Sequence, residues 1–404
     1  METIKQDVVI VGGGPAGMVL GLLLSRLNYH VMVIEKNENF DRDYRGEVLQ
    51  PRFMELMQKV NLHQTILELP HTKIRSGHFY HNHKEIGRFP FHDLSHDFPF
   101  GMWMPQPILL DGLHQKCRLN PHFKLLFGAH VKRFIYSDQQ VTGIVIEDKE
   151  KKETIIEAPL TVGADGRFST VKRLGKFEHE YEYYPGDILW FTMPCPPDWK
   201  GKFQFHLDKP YPYLILPKHP DAVQVGLALP LGKLKQFKQM AFPTFKDHLK
   251  ELNPHFREFA ATVPDFSSFV PLQAKTHYMK QWYKNGCLLI GDAAHCSSPA
   301  GAIGVSLAVT SAVIAAEVIH HTFQSTSLRL DQLHDVQARC GEEIKRIHQI
   351  QNRLGNALFS TSPFFQTIRP FVLSVLTRTS LISVLLRKVV TLPASFEVDS
   401  KLSR

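Results

Sequence analysis

Three short glycine-bearing stretches of this chain have a carboxylate within them or downstream, and the first has a pattern suited to a phosphate-bearing ligand. The first is Gly12-Gly13-Gly14-Pro15-Ala16-Gly17. In this GxGxxG spacing, Gly12 allows a tight turn and Gly14 lets a pyrophosphate approach the backbone. Gly17 lets a helix pack closely on a strand. Glu35 lies roughly 20 residues past the glycines, where an acid holds a ribose hydroxyl. The second stretch is Gly163-Ala164-Asp165-Gly166 and the third is Gly291-Asp292-Ala293-Ala294-His295. Asp-Gly by itself is a common turn. In the third, the carboxylate of Asp292 closes an apolar run and falls at a strand's C-terminal end.

These residues need elements to hold them. Asp7-Val8-Val9-Ile10-Val11 reads as a buried parallel strand. A helix from Pro15 to about Leu27 follows, with Pro15 in the first turn, where its missing N–H costs nothing. The helix dipole and free N–H groups then face a phosphate. Val31 to Ile34 is a second strand, ending in Glu35. Strand, glycine turn, helix, strand and acid in this order predict a bound dinucleotide, without separating FAD from NAD. Leu160 to Gly163 is a strand running into the Asp165 turn, with Ser169 as N-cap of the next helix. Gly286 to Ile290 is another. A loop through Pro299 then opens an apolar helix from Ala302 to His320, whose small first residues let something flat approach the backbone N–H groups. At about 18 residues this helix raises a membrane question. Its Ser306, Thr310, Ser311 and Glu317 favour a buried core helix instead.

Elsewhere the pattern alternates. Pro51 opens an amphipathic helix ending near Val60. Ser76 to Phe100 reads as a strand pair inserted into the nucleotide domain. Pro105-Gln106-Pro107 leads into a helix. Lys124 to Phe127, Val131 to Tyr136, Val141 to Glu147 and Thr154 to Glu157 suit an antiparallel meander. From Phe177 to Tyr278 aromatic-rich strands recur: Ile188 to Phe191, Phe203 to His206, Tyr213 to Leu216 and Ala222 to Leu229. They predict a sheet with one face on a ligand and one on its own helices, among them a Lys-rich helix from Lys233 to Glu251. A long helix spans Asp331 to Phe359. Pro363 to Leu392 is a basic amphipathic segment, expected to fold back on the protein, with contact at a membrane surface as the second reading.

At 404 residues the chain is long enough for two domains. Its net charge is +8, yet it has no long basic run and no nucleic-acid motif, so no nucleic-acid partner is expected. Five cysteines without a CxxC pair predict neither a zinc site nor a disulfide framework. His78, His81 and His83 form the only tight histidine group, on a polar hairpin where solvated or packed rings are expected rather than a metal. The first strand starts almost at Met1, leaving no room for a signal peptide, so the cytoplasm is the expected location.

Taken in order, the three motifs resemble those of the FAD-dependent aromatic hydroxylases, the single-component flavoprotein monooxygenases related to p-hydroxybenzoate hydroxylase. The resemblance runs to about residue 360. It implies an α/β fold: a Rossmann-like FAD-binding domain of mixed sheet and helices (residues 1–75, 101–177 and 277–360), interleaved with a β-sheet substrate domain (76–100 and 178–276). A C-terminal helical segment (361–404) follows. It further implies that Gly12, Gly14, Pro15, Ala16 and Gly17 wrap the pyrophosphate. Glu35, with Lys36 beside it, takes the adenosine ribose. Arg45 reaches the cofactor, Gln106 lies near the ribityl chain and Val131 meets the adenine through its backbone. Asp165 serves FAD and NAD(P)H, and Gly291-Asp292 holds a ribityl hydroxyl. Pro299, Gly301, Ala302, Ile303, Gly304 and Val305 line the isoalloxazine ring, their N–H groups facing its N1–C2 edge, where reduction places negative charge.

The implied reaction is NAD(P)H-driven hydroxylation of an aromatic or polycyclic small molecule by O₂ through a flavin C4a-hydroperoxide. Trp190, Phe205, Tyr213 and Leu216 are the pocket candidates, with plain packing on alternate strand positions as the other reading. No catalytic acid or base is assigned beyond a guess at His206. The loop after Pro299 departs from the family's common glycine-glutamine-glycine pattern, so the substrate is less defined than the cofactor. The alternatives are a flavin-dependent reductase or dehydrogenase of a hydrophobic, lipid-like substrate at the membrane surface, and a non-catalytic flavin-binding protein. NADH against NADPH and the oligomeric state are not legible.

Overall fold

The structure is a computed structural model and describes residues 2–41, 48–179, 181–208, 211–230, 240–325, 330–359 and 362–403. Its helices are α1 (Pro15–Arg26), α2 (Pro51–Lys59), α3 (His63–Leu67), α4 (Gln106–Cys117), α5 (Thr170–Leu174) and α6 (Phe242–Leu252). They continue as α7 (Phe256–Thr262), α8 (Gly304–Gln324), α9 (His334–Phe359), α10 (Pro363–Arg378) and α11 (Leu381–Val390).

The fold is mixed α/β. Its central sheet runs Tyr283–Lys284, Cys287–Leu289, Leu160–Gly163, Val8–Val11, Val31–Glu35 and Phe123–Phe127 in space. All neighbours are parallel except the first pair. Val8–Val11 and Val31–Glu35 are buried at every position, as a parallel sheet covered on both faces requires. Helix α1 lies on this sheet so closely that a Cβ at Gly21 would meet Phe123 and Val33. Helix α8 is apolar almost all round and buried over most of its length. The stretch Ala300–Gln324 is long and apolar enough to cross a membrane, yet 78% of its apolar window is buried inside the protein.

An eight-stranded sheet forms the second layer: His295–Cys296, Val270–Tyr278, Glu182–Pro194, Ala222–Pro230, Tyr213–Lys218, Lys202–His206, Ser76–His81 and Lys84–Pro90. The early hairpin Ser76–Pro90 supplies its edge through a parallel pairing with Lys202–His206. Helices α6 and α7 cover one face, in an apolar cluster with Phe191, Ile215, Val225 and Leu227. The expected helix from Lys233 begins outside the described residues, and its described part is α6.

Three expectations change. Phe123–Phe127 belongs to the parallel sheet, not to the meander, which consists of His130–Ser137, Gln140–Glu147 and Glu153–Glu157. A half-buried edge strand alternates in the same way whichever direction its neighbour runs. An additional strand, Glu2–Lys5, pairs parallel to Glu153–Glu157; its polar, mostly exposed residues carry no apolar run. A small sheet of Val48–Leu49, Gly101–Trp103 and Thr72–Ile74 was also not foreseen, being too short to show a period. The C-terminal segment forms two helices bent by 87°, broken where Ser380 adopts a left-handed φ of 56°.

Candidate active site

The three glycine–acid turns lie side by side. They follow the C-terminal ends of adjacent parallel strands, the end at which open α/β sheets bind ligands. Backbone hydrogen bonds tie them together: Gly12 N to Ile34 O (2.7 Å), Ala164 N to Val11 O (2.8 Å) and Ile290 N to Gly163 O (2.9 Å). Gly12 has a φ of +109°, and a Cβ there would lie 2.4 Å from Ala164 O. No other residue type fits that turn. At Gly17 a Cβ would lie 2.0 Å from Gly12 O, so the helix meets the turn backbone to backbone. Gly291 sits between α1 and α8, within 3.2 Å of both Ala16 and Ala308 for an added Cβ, and its N–H donates to Ser311 Oγ at 2.9 Å.

Each acid has a distinct setting. Glu35 is 3% exposed. Its Oε2 accepts from Gly13 N (2.9 Å), and its Oε1 accepts from the backbone N–H (3.0 Å) and Nδ2 (2.9 Å) of Asn37. Asn37 was missed from sequence; nothing distinguishes such a buttress from a loop asparagine. Asp165 Oδ2 accepts from Thr170 N (2.6 Å) and Val171 N (3.2 Å), capping α5 together with Ser169, whose Oγ accepts from Lys172 N at 2.9 Å. Its Oδ1 is buried with no hydrogen-bond partner among the described residues. Burial pushes the Asp165 carboxyl above the usual range, against the lowering pull of Ser169 and the backbone donors. Asp292 is half-buried in a turn spanning Gly291–Ala293.

Helix α1 starts at Gly14 with no side-chain cap and no acid in its first turn, leaving its N-terminus open to an anion. Val131 is near the Glu35 end of the sheet, because Ala129 N donates to Glu35 O and Gly128 N to Asn37 O. Lys36 is exposed. Gln106 is buried at the start of α4. Arg45 lies outside the described residues. In the loop before α8, Gly301 (φ 76°) and Ala302 (φ 49°) are both left-handed, and a Cβ at Gly301 would have nothing within 4 Å. Two glutamines missed from sequence, Gln50 and Gln351, bond this loop's carbonyls.

Across the eight-stranded sheet, cross-strand pairing sets Trp190, Gly226, Leu214, Phe205 and Phe79 in one transverse row. Paired residues share a face. Phe79 and Phe205, with Leu214 and Leu216 against them, join the same apolar cluster as α8 and the parallel sheet. Tyr213 does not. It points the other way, its ring 5.4 Å from Phe256 of α7 and its OH donating to Leu252 O at 3.2 Å. The pocket expectation for Tyr213 is therefore corrected: one strand position separates it from Leu214, and side chains alternate. His206 shares Tyr213's face. Its ring is stacked between Tyr80 (4.5 Å) and Tyr213 (4.3 Å), and burial lowers its pKa. This setting corrects the acid–base guess.

Beside the Asp165 turn, the buried Lys172 sends Nζ to Arg167 O (3.0 Å), Tyr181 OH (3.3 Å) and His277 Nε2 (3.4 Å). Burial lowers the Lys172 pKa and holds His277 neutral, at about 3. Among the described residues no cluster of His, Cys, Asp and Glu has the arrangement of a metal site.

The model of the FAD binding domain family matches residues 5–344. The chain is 30% identical over 392 residues, 95% of its length and 91% of the relative's, to 6-methylpretetramide 4-monooxygenase of Streptomyces rimosus. The chain belongs to the FAD-dependent aromatic monooxygenases. It is an FAD-dependent oxidoreductase, of a family in which NAD(P)H is the typical reductant. It is also 27% identical over 315 residues, 75% of its length, to squalene monooxygenase of Rattus norvegicus, spanning about half (52%) of that protein. Its fold matches p-nitrophenol 4-monooxygenase PnpA from Pseudomonas putida with a TM-score of 0.80 at 16% identity, covering 100% of this chain and 99% of the other. It also matches PqsL, a probable FAD-dependent monooxygenase from Pseudomonas aeruginosa, with a TM-score of 0.76 at 19% identity (92% and 99% covered). The residues present fit FAD: an uncapped helix N-terminus, a buttressed carboxylate for a ribose, an unpartnered Asp165 Oδ1 and open space beside Gly301.

Proposed function

We propose that this monooxygenase hydroxylates an aromatic, polycyclic phenol. The observation that carries this reading is the apolar row Trp190, Gly226, Leu214, Phe205 and Phe79, with Leu216 two residues along on the same face as Leu214. Gly226 leaves a flat interval in that row, occupied by the Trp190 ring. The likeness to an enzyme named for 6-methylpretetramide supports the same substrate class. We take residues 1–75, 101–177 and 277–360 as the cofactor domain, 76–100 and 178–276 as the substrate domain and 361–404 as a C-terminal addition.

Bound FAD supplies the redox and oxygen-transfer chemistry. In this reading the chain binds, orients and shields. Gly12, Gly14 and Pro15 make room for the pyrophosphate, and the Ala16 and Gly17 N–H groups meet it. Glu35 takes the adenosine ribose, with Lys36 outside and Val131 beside the adenine. Gln106 and Arg45 lie toward the ribityl chain, which Asp292, in its turn with Gly291, holds by a hydroxyl. Pro299, Gly301, Ala302, Ile303, Gly304 and Val305 face the ring edge, where N–H donors and the α8 dipole stabilise negative charge. The test is NAD(P)H oxidation measured against a panel of phenols and polyketide-like aromatics, with product mass determined. A stimulating ligand that gains one oxygen supports the proposal. NAD(P)H oxidation equal with every ligand and yielding only peroxide overturns it.

A second reading concerns location. All five cysteines are unpaired, which suits a reducing compartment, and we place the enzyme in the cytoplasm. Helices α10 and α11 bury Leu373, Ile382, Val389 and Val390 yet expose Phe364 (67%), Phe371 (69%) and Val384 (53%). Arg378, Arg387 and Lys388 are exposed on the same helices. We propose that this face rests on an anionic lipid surface. Co-sedimentation with vesicles that contain phosphatidylserine, lost in Phe364→Ser/Phe371→Ser, is the expected result. Equal recovery with and without vesicles contradicts it.

A further inference from the structure

The loop that opens α8 is held from two sides by glutamine side chains. Gln351, 1% exposed in the middle of α9, donates Nε2 to Ser298 O (3.1 Å) and Ala300 O (2.5 Å). Gln50, 8% exposed and immediately before α2, donates Nε2 to Gly301 O (2.7 Å). A carbonyl oxygen can be approached only by the amide nitrogen, so both side-chain orientations are fixed. The other end of each amide is left over. Gln50 Oε1 and Gln351 Oε1 are buried without a hydrogen-bond partner among the described residues. An orphaned buried acceptor is destabilising, so stability of the glutamines alone does not account for their placement.

We propose that Gln50 and Gln351 are positioning residues that fix which way the peptides of residues 298–301 face. Along a loop, each peptide turns either its N–H or its C=O to a given side. Gly301 and Ala302 both have positive φ, and at a glycine the two orientations of a peptide plane are closest in energy. A flip would exchange a hydrogen-bond donor for an acceptor at the surface facing the flavin. Beside the edge where reduction places negative charge, that exchange replaces attraction by repulsion. With the carbonyls of Ser298, Ala300 and Gly301 tied to α9 and to the start of α2, the donor face is kept pointing one way. Neither glutamine needs to touch the cofactor. The inference rests on the placement of the ring edge against Pro299 to Val305.

The test uses Gln351→Met and Gln50→Met, which keep volume and remove the donor. Two readouts separate positioning from general support. One is amide hydrogen exchange at residues 299–304 in flavin-free protein. The other is sulfite titration of the FAD-loaded protein, because sulfite addition leaves negative charge on the N1–C2 edge. The expected result is about tenfold faster exchange confined to the loop and about tenfold weaker sulfite binding, near the loss of one or two hydrogen bonds. Gln351→Leu, which is of similar size but offers no donor, is expected to match Gln351→Met. Wild-type sulfite affinity and exchange in a flavin-loaded Gln351→Met protein overturn the proposal. If Gln351→Met fails to fold, Gln50→Met, which frees only Gly301, decides by the same two readouts. Failure of the unmodified protein to bind FAD strikes the ring placement itself and is read before any variant is made, and an unmodified protein that forms no sulfite adduct leaves the exchange readout to decide.

Discussion

The glycine–acid turns and the eight-stranded sheet are built on opposite principles. At the turns, backbone meets backbone: Gly12 against Ala164, Gly17 against Gly12, and Gly291 between Ala16 and Ala308. Side chains there are few, and their types are dictated by sterics and by charge. On the sheet the proposed binding surface is a row of apolar side chains on one face, and the opposite face is equally apolar because α6 and α7 cover it. Tyr213 and Leu214 are neighbours in sequence, yet they serve different sides of the molecule. A site made of backbone tolerates almost no substitution, whereas a site made of side chains is open to retuning. That difference accounts for one cofactor serving many aromatic substrates in a single fold.

Substitutions can break or sharpen this contrast. The largest effect is expected for Gly17→Val, whose Cβ would sit 2.0 Å from Gly12 O. It should cost at least ~3 kcal/mol and abolish flavin uptake; a stable, yellow variant breaks the contrast outright. His348 comes next. It lies 6.4 Å from His295, the last residue of the third motif, and burial holds its pKa at about 4. The folded state therefore refuses a proton that the unfolded chain takes up below about pH 6.5. Stability should fall by up to ~3 kcal/mol as pH drops from 6.5 towards 4. His348→Phe should flatten that slope in urea melts, and an unchanged slope contradicts a dry cofactor side.

Glu35→Ala should weaken FAD binding by ~10-fold to 100-fold, the scale of charge-assisted hydrogen bonds lost to ribose and to Gly13. On the sheet, Phe205→Ala should raise KM for an accepted phenol by about tenfold with FAD affinity unchanged. The smallest effect is expected for Tyr213→Phe: ~1 kcal/mol of stability, from the lost bond to Leu252 O, and no change in kcat/KM. A kinetic defect in Tyr213→Phe exceeding that of Phe205→Ala would assign the substrate to the wrong face.

The same contrast decides what was legible in the sequence. The turns announced themselves because only glycine fits at Gly12 and because an acid must close Val31–Glu35. The apolar run of Ala302 to His320 told of a buried helix, and α8 is one. Phe123–Phe127 was misassigned because alternation does not encode the direction of a neighbour. Tyr213 and His206 were misplaced because aromatic residues suit both faces of a sheet buried on both sides. Asn37, Gln50 and Gln351 left no trace at all. The glutamines act through side-chain amide contacts to a loop distant in sequence, and Asn37 through a local contact to Glu35, and neither kind has a period or a fixed spacing.

The most direct measurement is calorimetric titration of flavin-free protein with FAD, comparing the wild type with Gly12→Val, Asp165→Asn and Asp292→Ala. If the three turns grip one ligand, the wild type binds one FAD per chain and each change, made in a different turn, weakens that single isotherm. Wild-type affinity retained on changing any one turn, or a chain that takes up no flavin, would contradict it.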